Sequence, residues 1–563
     1  MKKIFICAMI AILMPFTFML TGCFGNKSFN IDVKHVNHGS IYCDVSQAKK
    51  GEEVQLYYEE IETGYEFLYF TLNGKKLTGD TFTMPRKDVT VSAVISKKDY
   101  TITYHMDSKT SFVNPHGIMY YYTIGTTASL PDAQKPGYEF LGWYRDAQLN
   151  SKITSIEPFL HENLDLYPKF EVMTYYINYY NVEQATNNNP DSFDINSGTI
   201  TLENAEKADY EFKGWYDNKN FTGNAITTIP GNKGENVNLY AKFISTKVDN
   251  DGYRYITSAI DFLEIVPQNL NGKYKFQGTI DFDGFEYIPI GTSSNPFTGE
   301  IKYVNGLVSN LTINTDGNYV GLFGYIKNAT IKGVSIIDVE IKKTSAMGFD
   351  QYVGALAGYV DNSTLDDIFI SYVDIDVRVW NGYIGSLVGF VKDSTITKCE
   401  VAGSPMNVVA TQTIYAGGML GKASVSTMSR CSVDYGYEVN VNLESQTQNG
   451  KIYFGGLVGE SYKTDVANSY VWQVCSEVEI SLFGKNGASY VGGLVGYLGY
   501  ASVSNSYAKL SKITCNNKYS LNVSDVDMYL GGLVGKASYE ANIANSFVTT
   551  YKDRAYALVL SLR

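Results

Sequence analysis

At 563 residues, with 46 basic and 58 acidic side chains and a formal net charge of −12, the chain is too long for one compact core. It is rich in Tyr, Phe, Gly, Asn, Ser and Thr, which is strand-and-turn chemistry, and long amphipathic helical patterns are missing. The scattered acidic charge repels nucleic acid and anionic lipid surfaces, which excludes both as expected partners.

Lys2 and Lys3 precede an almost wholly apolar run from Ile4 to Leu20, interrupted by Pro15 and ending at Leu20-Thr21-Gly22-Cys23. A basic start, an apolar run and small residues before a cut make a secretory signal over residues 1–22, too short for a lasting membrane span of about 20 apolar residues. Leu20, Thr21, Gly22 and Cys23 resemble the lipobox of bacterial lipoproteins. The resemblance implies cleavage before Cys23, a diacylglycerol on its thiol and a short tether over residues 23–28. The product is an exported chain anchored to the envelope and facing outward, with the membrane as a partner through its lipid. At about 0.8 kcal/mol per buried CH₂, several acyl chains hold such an anchor. An ordinary signal peptide with an incidental cysteine is the alternative.

Three segments then repeat one phrase at intervals of about seventy residues: Gly64-Tyr65-Glu66-Phe67-Leu68, Gly137-Tyr138-Glu139-Phe140-Leu141-Gly142-Trp143-Tyr144 and Asp209-Tyr210-Glu211-Phe212-Lys213-Gly214-Trp215-Tyr216. The alternation Tyr-Glu-Phe puts two aromatics on one strand face and the carboxylate on the other. Each segment closes on another alternating strand: Val89 to Ile95, Leu164 to Phe170 and Val237 to Phe243. Residues 99–172 and 173–245 resemble the Listeria–Bacteroides repeat through Gly-Trp-Tyr and the closing phrases Leu166 to Phe170 and Leu239 to Phe243. Residues 29–98 resemble its divergent InlB B-repeat relative through Gly64 to Phe67, Thr83-Met84-Pro85 and Asp88 to Val91, with Leu68-Tyr69 in place of Gly-Trp. The resemblance implies a small β-grasp-like unit, used as a spacer and sometimes as a weak binder. Trp143 and Trp215 are the candidate ligand-binding platforms, set against a core reading in which large aromatics fill a small β domain.

After a polar connector at Ser245 to Gly252, residues 246–318 read as a linker and the first coils of a second array occupying residues 319–563. Its clearest copies are Tyr453-Phe454-Gly455-Gly456-Leu457-Val458-Gly459, Tyr490 to Gly496 and Tyr529 to Gly535, with weaker ones at Tyr319, Tyr352, Tyr383 and Tyr415. Successive starts lie 33, 31, 32, 38, 37 and 39 residues apart. The Tyr319 copy is one residue short, which predicts an irregular strand there. These copies resemble the GLUG family of bacterial surface proteins. A repeat this short cannot bury its own apolar face, whereas stacked copies can, so the expected fold is all-β: small modules followed by a right-handed parallel β-helix. Its glycines suit corners with φ > 0 or close backbone approach. Stacking aligns Cys399 with Cys431, each sixteen residues after its repeat's tyrosine. The pair is a candidate disulfide, with a ladder of free thiols as the alternative.

No chemistry competes strongly with this reading. Cys43, Cys399, Cys431, Cys475 and Cys515 match no zinc spacing, and His35, His38, His105, His116 and His161 all precede the array and form no His-Glu-x-x-His motif. No Gly-x-Ser-x-Gly elbow occurs, and the array's glycine phrases lack a following Lys-Ser/Thr. Asp366-Asp367 and Asp374-Ile375-Asp376 read as a solvated outer face rather than a glycosidase pair. The chain is therefore expected to be non-enzymatic, without cofactor or metal, and to contact a host or matrix protein, a glycan or a neighbouring cell. An envelope spacer without a specific ligand is one alternative. The other is an accessory region of a carbohydrate- or peptide-cleaving enzyme, because Leu558 to Arg563 offers no obvious polar cap for an exposed coil.

Overall fold

A computed structural model describes residues 27–550 apart from 346–347, 436–438, 448, 473–476, 483–486, 511–512 and 518–526. The described chain divides into two compact units. One runs to Tyr176 and includes Ser192–Ile200 and Pro230–Asn236; the other holds Ile177–Asp191, Thr201–Ile229 and the chain from Val237 onward.

The modules share one topology. In the first, Ser28–Val33 pairs in parallel with Val89–Lys97, which pairs antiparallel with Tyr65–Leu72. In the second, Tyr100–Tyr104 runs parallel to Leu164–Val172, which is antiparallel to Tyr138–Tyr144. The third repeats the pattern with Val237–Ser245 between its partners. First and last strands lying parallel at the sheet centre give the β-grasp-like arrangement expected.

A one-residue register slip recurs in all three, between Phe67 and Tyr69, Phe140 and Gly142, and Phe212 and Gly214. After the slip Gly142 and Gly214 adopt φ of 124° and 129°, a backbone open to glycine, and the following Trp turns inward. The first module makes the same slip with Leu68 as the extra residue. The counterpart of the Gly-Trp pair is therefore Tyr69-Phe70, not Leu68-Tyr69, and Phe70 is the buried residue that replaces the tryptophan.

The solenoid opens under a short helix, α1 (Ala259–Ile265), started by Ser258, whose hydroxyl accepts the Asp261 N–H. Phe262 fills the end of the core against Phe276, Phe282, Tyr287 and Phe323. The buried Asp261 carboxylate accepts the N–H groups of Ser245 at 2.7 Å and Thr257 at 2.9 Å, tying the third module's last strand to the helix.

From Tyr319 onward each coil contributes segments to three parallel sheets. Thr364–Asp366 and Phe369–Val379 belong to the longest, and Asn381–Gly385 and Val388–Lys392 to two others. Inward positions stack as columns, such as Ile331, Leu365, Ile396, Met428, Val466 and Val503, all buried. The Tyr319 copy keeps its register: Val320 lies opposite Val353 and Phe323 opposite Ala357. Its missing residue comes out of the turn, so the predicted strand irregularity does not occur.

Of the two roles open to the GLUG glycines, close approach is the one used. A Cβ on Gly389 would sit 2.5 Å from the Tyr383 carbonyl, and one on Gly385 would sit 2.4 Å from that of Met419 in the next coil. The corners with positive φ carry mostly Asn, Asp and Lys, as at Asn328, Asn362, Asp393 and Lys463. Beside them run columns of buried hydroxyls. Ser363 accepts the N–H of Ala329 at 3.0 Å, Ser394 that of Ser363 at 3.0 Å and Ser426 that of Ser394 at 3.1 Å.

Candidate binding faces

The lipidation residue Cys23 and the lipobox residues Leu20, Thr21 and Gly22 lie outside the described residues. Among the described residues no helix is long and apolar enough to cross a membrane.

Trp143 and Trp215 are not platforms. Each is 2% exposed, and their indole N–H groups donate to the carbonyls of Pro131 and Glu203. Phe140 and Tyr104 pack on Trp143, and Phe212 and Tyr179 on Trp215. Both candidate assignments are corrected: the register slip that admits each indole leaves no face for a ligand. Burial pushes the hydroxyls of Tyr104 and Tyr179 up to about 12.

Cys399 and Cys431 occupy one corner of successive coils, as aligned, but both are free thiols. Each Sγ donates instead to the carbonyl two residues earlier, Thr397 and Ser429, at 3.4 Å. The neighbouring Cys431 sulfur and burial hold the Cys399 thiol well above the ordinary range. The column continues in hydroxyls, since the Cys431 N–H donates to Ser469 and the Ser469 N–H to Ser506.

The carboxylates are on the outer face. Asp374 and Asp376 alternate with buried Val373, Ile375 and Val377, and Asp376 accepts a hydrogen bond from Asn407. Partial burial, then Glu340 and Asp376, raises the Asp374 carboxyl. Asp366 is occupied: Thr397 donates to it at 2.8 Å, and Lys332 and Lys398 pair with it at 3.0 and 3.6 Å, which lowers it.

Sequence reasoning missed an exposed aromatic cluster on the longest sheet. Tyr470, Tyr507 and Phe547 follow one another in register on adjacent coils, their rings stacked at 5.1 and 5.3 Å. Beside Tyr470 on the same face stands Trp472, 42% exposed, with the Lys509 ammonium 4.3 Å from its ring. The signal was the alternation Tyr470-Val471-Trp472, with Val471 buried. Earlier coils have Asp434 and Ala402 in the Trp472 column, so the indole departs from the repeat. Core columns are filled with apolar side chains coil after coil, whereas an outward tryptophan found once contributes little to stacking.

A different column is common to seven coils. Tyr319, Tyr352, Tyr383, Tyr415, Tyr453, Tyr490 and Tyr529 stack half-buried with ring centroids 4.6–5.2 Å apart. Its regularity marks it as part of the scaffold.

The fold and these faces define a repeat-built, all-β protein. The Listeria-Bacteroides repeat domain matches residues 100–169 and 175–242, the divergent InlB B-repeat domain residues 29–99 and the GLUG motif residues 487–514. A protein of Evansella cellulosilytica, provisionally named a Gly-rich membrane protein, is 32% identical over 126 residues, covering 20% of this chain and 14% of its own length. The chain thus spans a small part of that relative. Among solved structures, one from Bacteroides ovatus, provisionally named an immunoglobulin A1 protease, aligns at 14% identity and a TM-score of 0.32, over 53% of this chain and 86% of its own. A second, named IgA1 Protease, aligns at 13% identity and a TM-score of 0.32, over 67% and 29%.

Proposed function

We propose that the chain is a non-enzymatic, surface-displayed lipoprotein, held to the membrane through lipid on Cys23, that adheres through its solenoid. Repeat families of this kind suggest a surface-associated protein. The observation that carries the binding assignment is the cluster of Tyr470, Trp472, Tyr507 and Phe547. Outward aromatics gathered around a tryptophan that breaks the repeat are the kind of exposed apolar patch that marks a contact surface. Stacked aromatics with polar neighbours suit a sugar face or an aromatic-rich protein surface, and contact over several coils supports low-affinity, multi-point binding.

The test compares soluble protein comprising residues 24–563 with its Trp472→Ala variant and with residues 24–245, on a glycan array and on immobilised matrix proteins. Saturable binding by the first, lost in both others, supports the assignment. Binding retained by residues 24–245 moves the site to the modules, and retention by Trp472→Ala moves it elsewhere on the solenoid.

A further inference from the structure

The negative net charge of the chain hides a local gathering of the opposite sign on the first coils of the solenoid. The ammonium groups of Lys302, Lys275 and Lys273 lie 4.3, 5.1 and 5.4 Å from the centre of the Tyr253 ring. Lys247 and Lys275 approach the neighbouring ring of Tyr255 at 4.6 and 5.9 Å. Strand register causes this convergence. Tyr255 lies opposite Lys275, and Lys275 lies opposite Lys302, so three outward positions form one row across adjacent strands. Ile301 is opposite Ile331 in the next coil, which continues the row from Lys302 to Lys332.

Like charges directly opposite one another on a sheet destabilise it unless something offsets them. Asp249 pairs with Lys275, and Glu300 with Lys302 at 3.2 Å; Asp251 adds a third carboxylate near Lys275. Against these three stand Lys247, Lys273, Lys275 and Lys302. The excess is local, but at physiological salt charges act over about 8 Å, so the patch and not the distant acidic surface governs a bound group. Tyrosine rings support the lysine stems and hold their ammonium groups in place before any ligand arrives.

We propose that this face binds an acidic polysaccharide, whose sulfate or carboxylate groups are taken by Lys273, Lys275 and Lys302. The cations are spread over neighbouring strands about 4.8 Å apart on an open surface. A small free anion reaches one or two of them, whereas a polymer with a charge on successive sugars reaches all. Lys332, paired with Asp366 at 3.0 Å, lies on the path of such a polymer along the coils.

The experiment measures binding of the full chain to immobilised heparin, polygalacturonate and neutral dextran, at low and at physiological salt. The expected result is binding to one or both acidic polymers that weakens as salt rises, with none to dextran; whichever acidic polymer binds identifies the anion. Lys273→Gln/Lys275→Gln/Lys302→Gln should lose about tenfold or more of that affinity and flatten its salt dependence. The corresponding triple Arg variant, which keeps charge and fold, should retain it. Lys327→Gln/Lys392→Gln, on a different sheet, should bind as the unaltered chain does. Absence of salt-sensitive binding by the unaltered chain overturns the proposal. So does equal binding by the triple Gln variant, or loss by the triple Arg variant at an unchanged unfolding midpoint.

Discussion

The backbone N–H of Ser363 donates to the hydroxyl of Ser394 at 3.0 Å, and the two residues hold the same corner of successive coils. Ser394 in turn donates to the carbonyl of Lys392. One hydroxyl thus satisfies a buried donor in the preceding coil and also donates to a carbonyl of its own coil.

Ser394→Ala leaves the Ser363 N–H without its acceptor inside the core. A stranded buried donor costs about 1–3 kcal/mol, so the solenoid's denaturant midpoint should fall accordingly. Ser394→Thr keeps the oxygen and should fall less, as Thr464 plays the same part, accepting the Ser426 N–H at 3.1 Å. Equal losses would show that volume, not the hydrogen bond, matters at this corner.

In the third module, Trp215→Ala empties the centre of the core and should destabilise that module by about 3–5 kcal/mol. Gly214→Ala should cost about 1–3 kcal/mol by a different route, because φ of 129° strains an L side chain. Thermal unfolding of both variants, followed by near-ultraviolet circular dichroism, separates cavity from strain. An undiminished midpoint in Gly214→Ala would place the slip outside the module's stability.

Cys399 and Cys431 should resist a thiol reagent in the folded chain and react fully once it is denatured. Peptide mapping without reductant should yield no disulfide-linked peptide joining the two. Finding that peptide would contradict the free thiols of this corner.

Alkaline pH should weaken the solenoid. In the unfolded chain a tyrosine loses its proton near pH 10. Burial holds the proton on, to about 12 at Tyr325, edge-on to the stack at Tyr319, and higher still within the stack at Tyr352, Tyr383, Tyr415 and Tyr453. The folded state therefore binds more protons above pH 10. Its stability should be level below that value and fall as pH rises through the folded range. Phenolate absorbance should lag behind that of free tyrosine and then rise together with loss of the β signal. A smooth titration near pH 10 in the intact fold would refute the burial.

Much of this architecture is written in the chain because stacked repeats require the same residue at the same place. The seven tyrosines, the Gly-Leu-Val-Gly phrase and the alternating module strands announce themselves by recurrence. What recurrence hides is equally specific. The slip at Leu68 shifts the counterpart of Gly142-Trp143 in the first module by one residue, and because a slip is a property of paired strands, one strand alone does not reveal which residue is extra. Trp472 does not stand out among the motif residues, because its meaning lies in being different from Asp434 in the preceding coil. The lysines around Tyr253 come from separate strands and a connector, and only register brings them together.

The corner hydrogen bonds reach from each coil to the next rather than closing within one, and this bears on how such genes change. Deleting or duplicating one whole period leaves each corner donor facing a corner hydroxyl of the same kind, as the Ser363, Ser394, Ser426 and Thr464 column shows. A deletion of half a period joins a corner to a strand and leaves donors on both sides unmatched. Copy number is therefore the dimension along which a fold of this kind changes at least cost in stability.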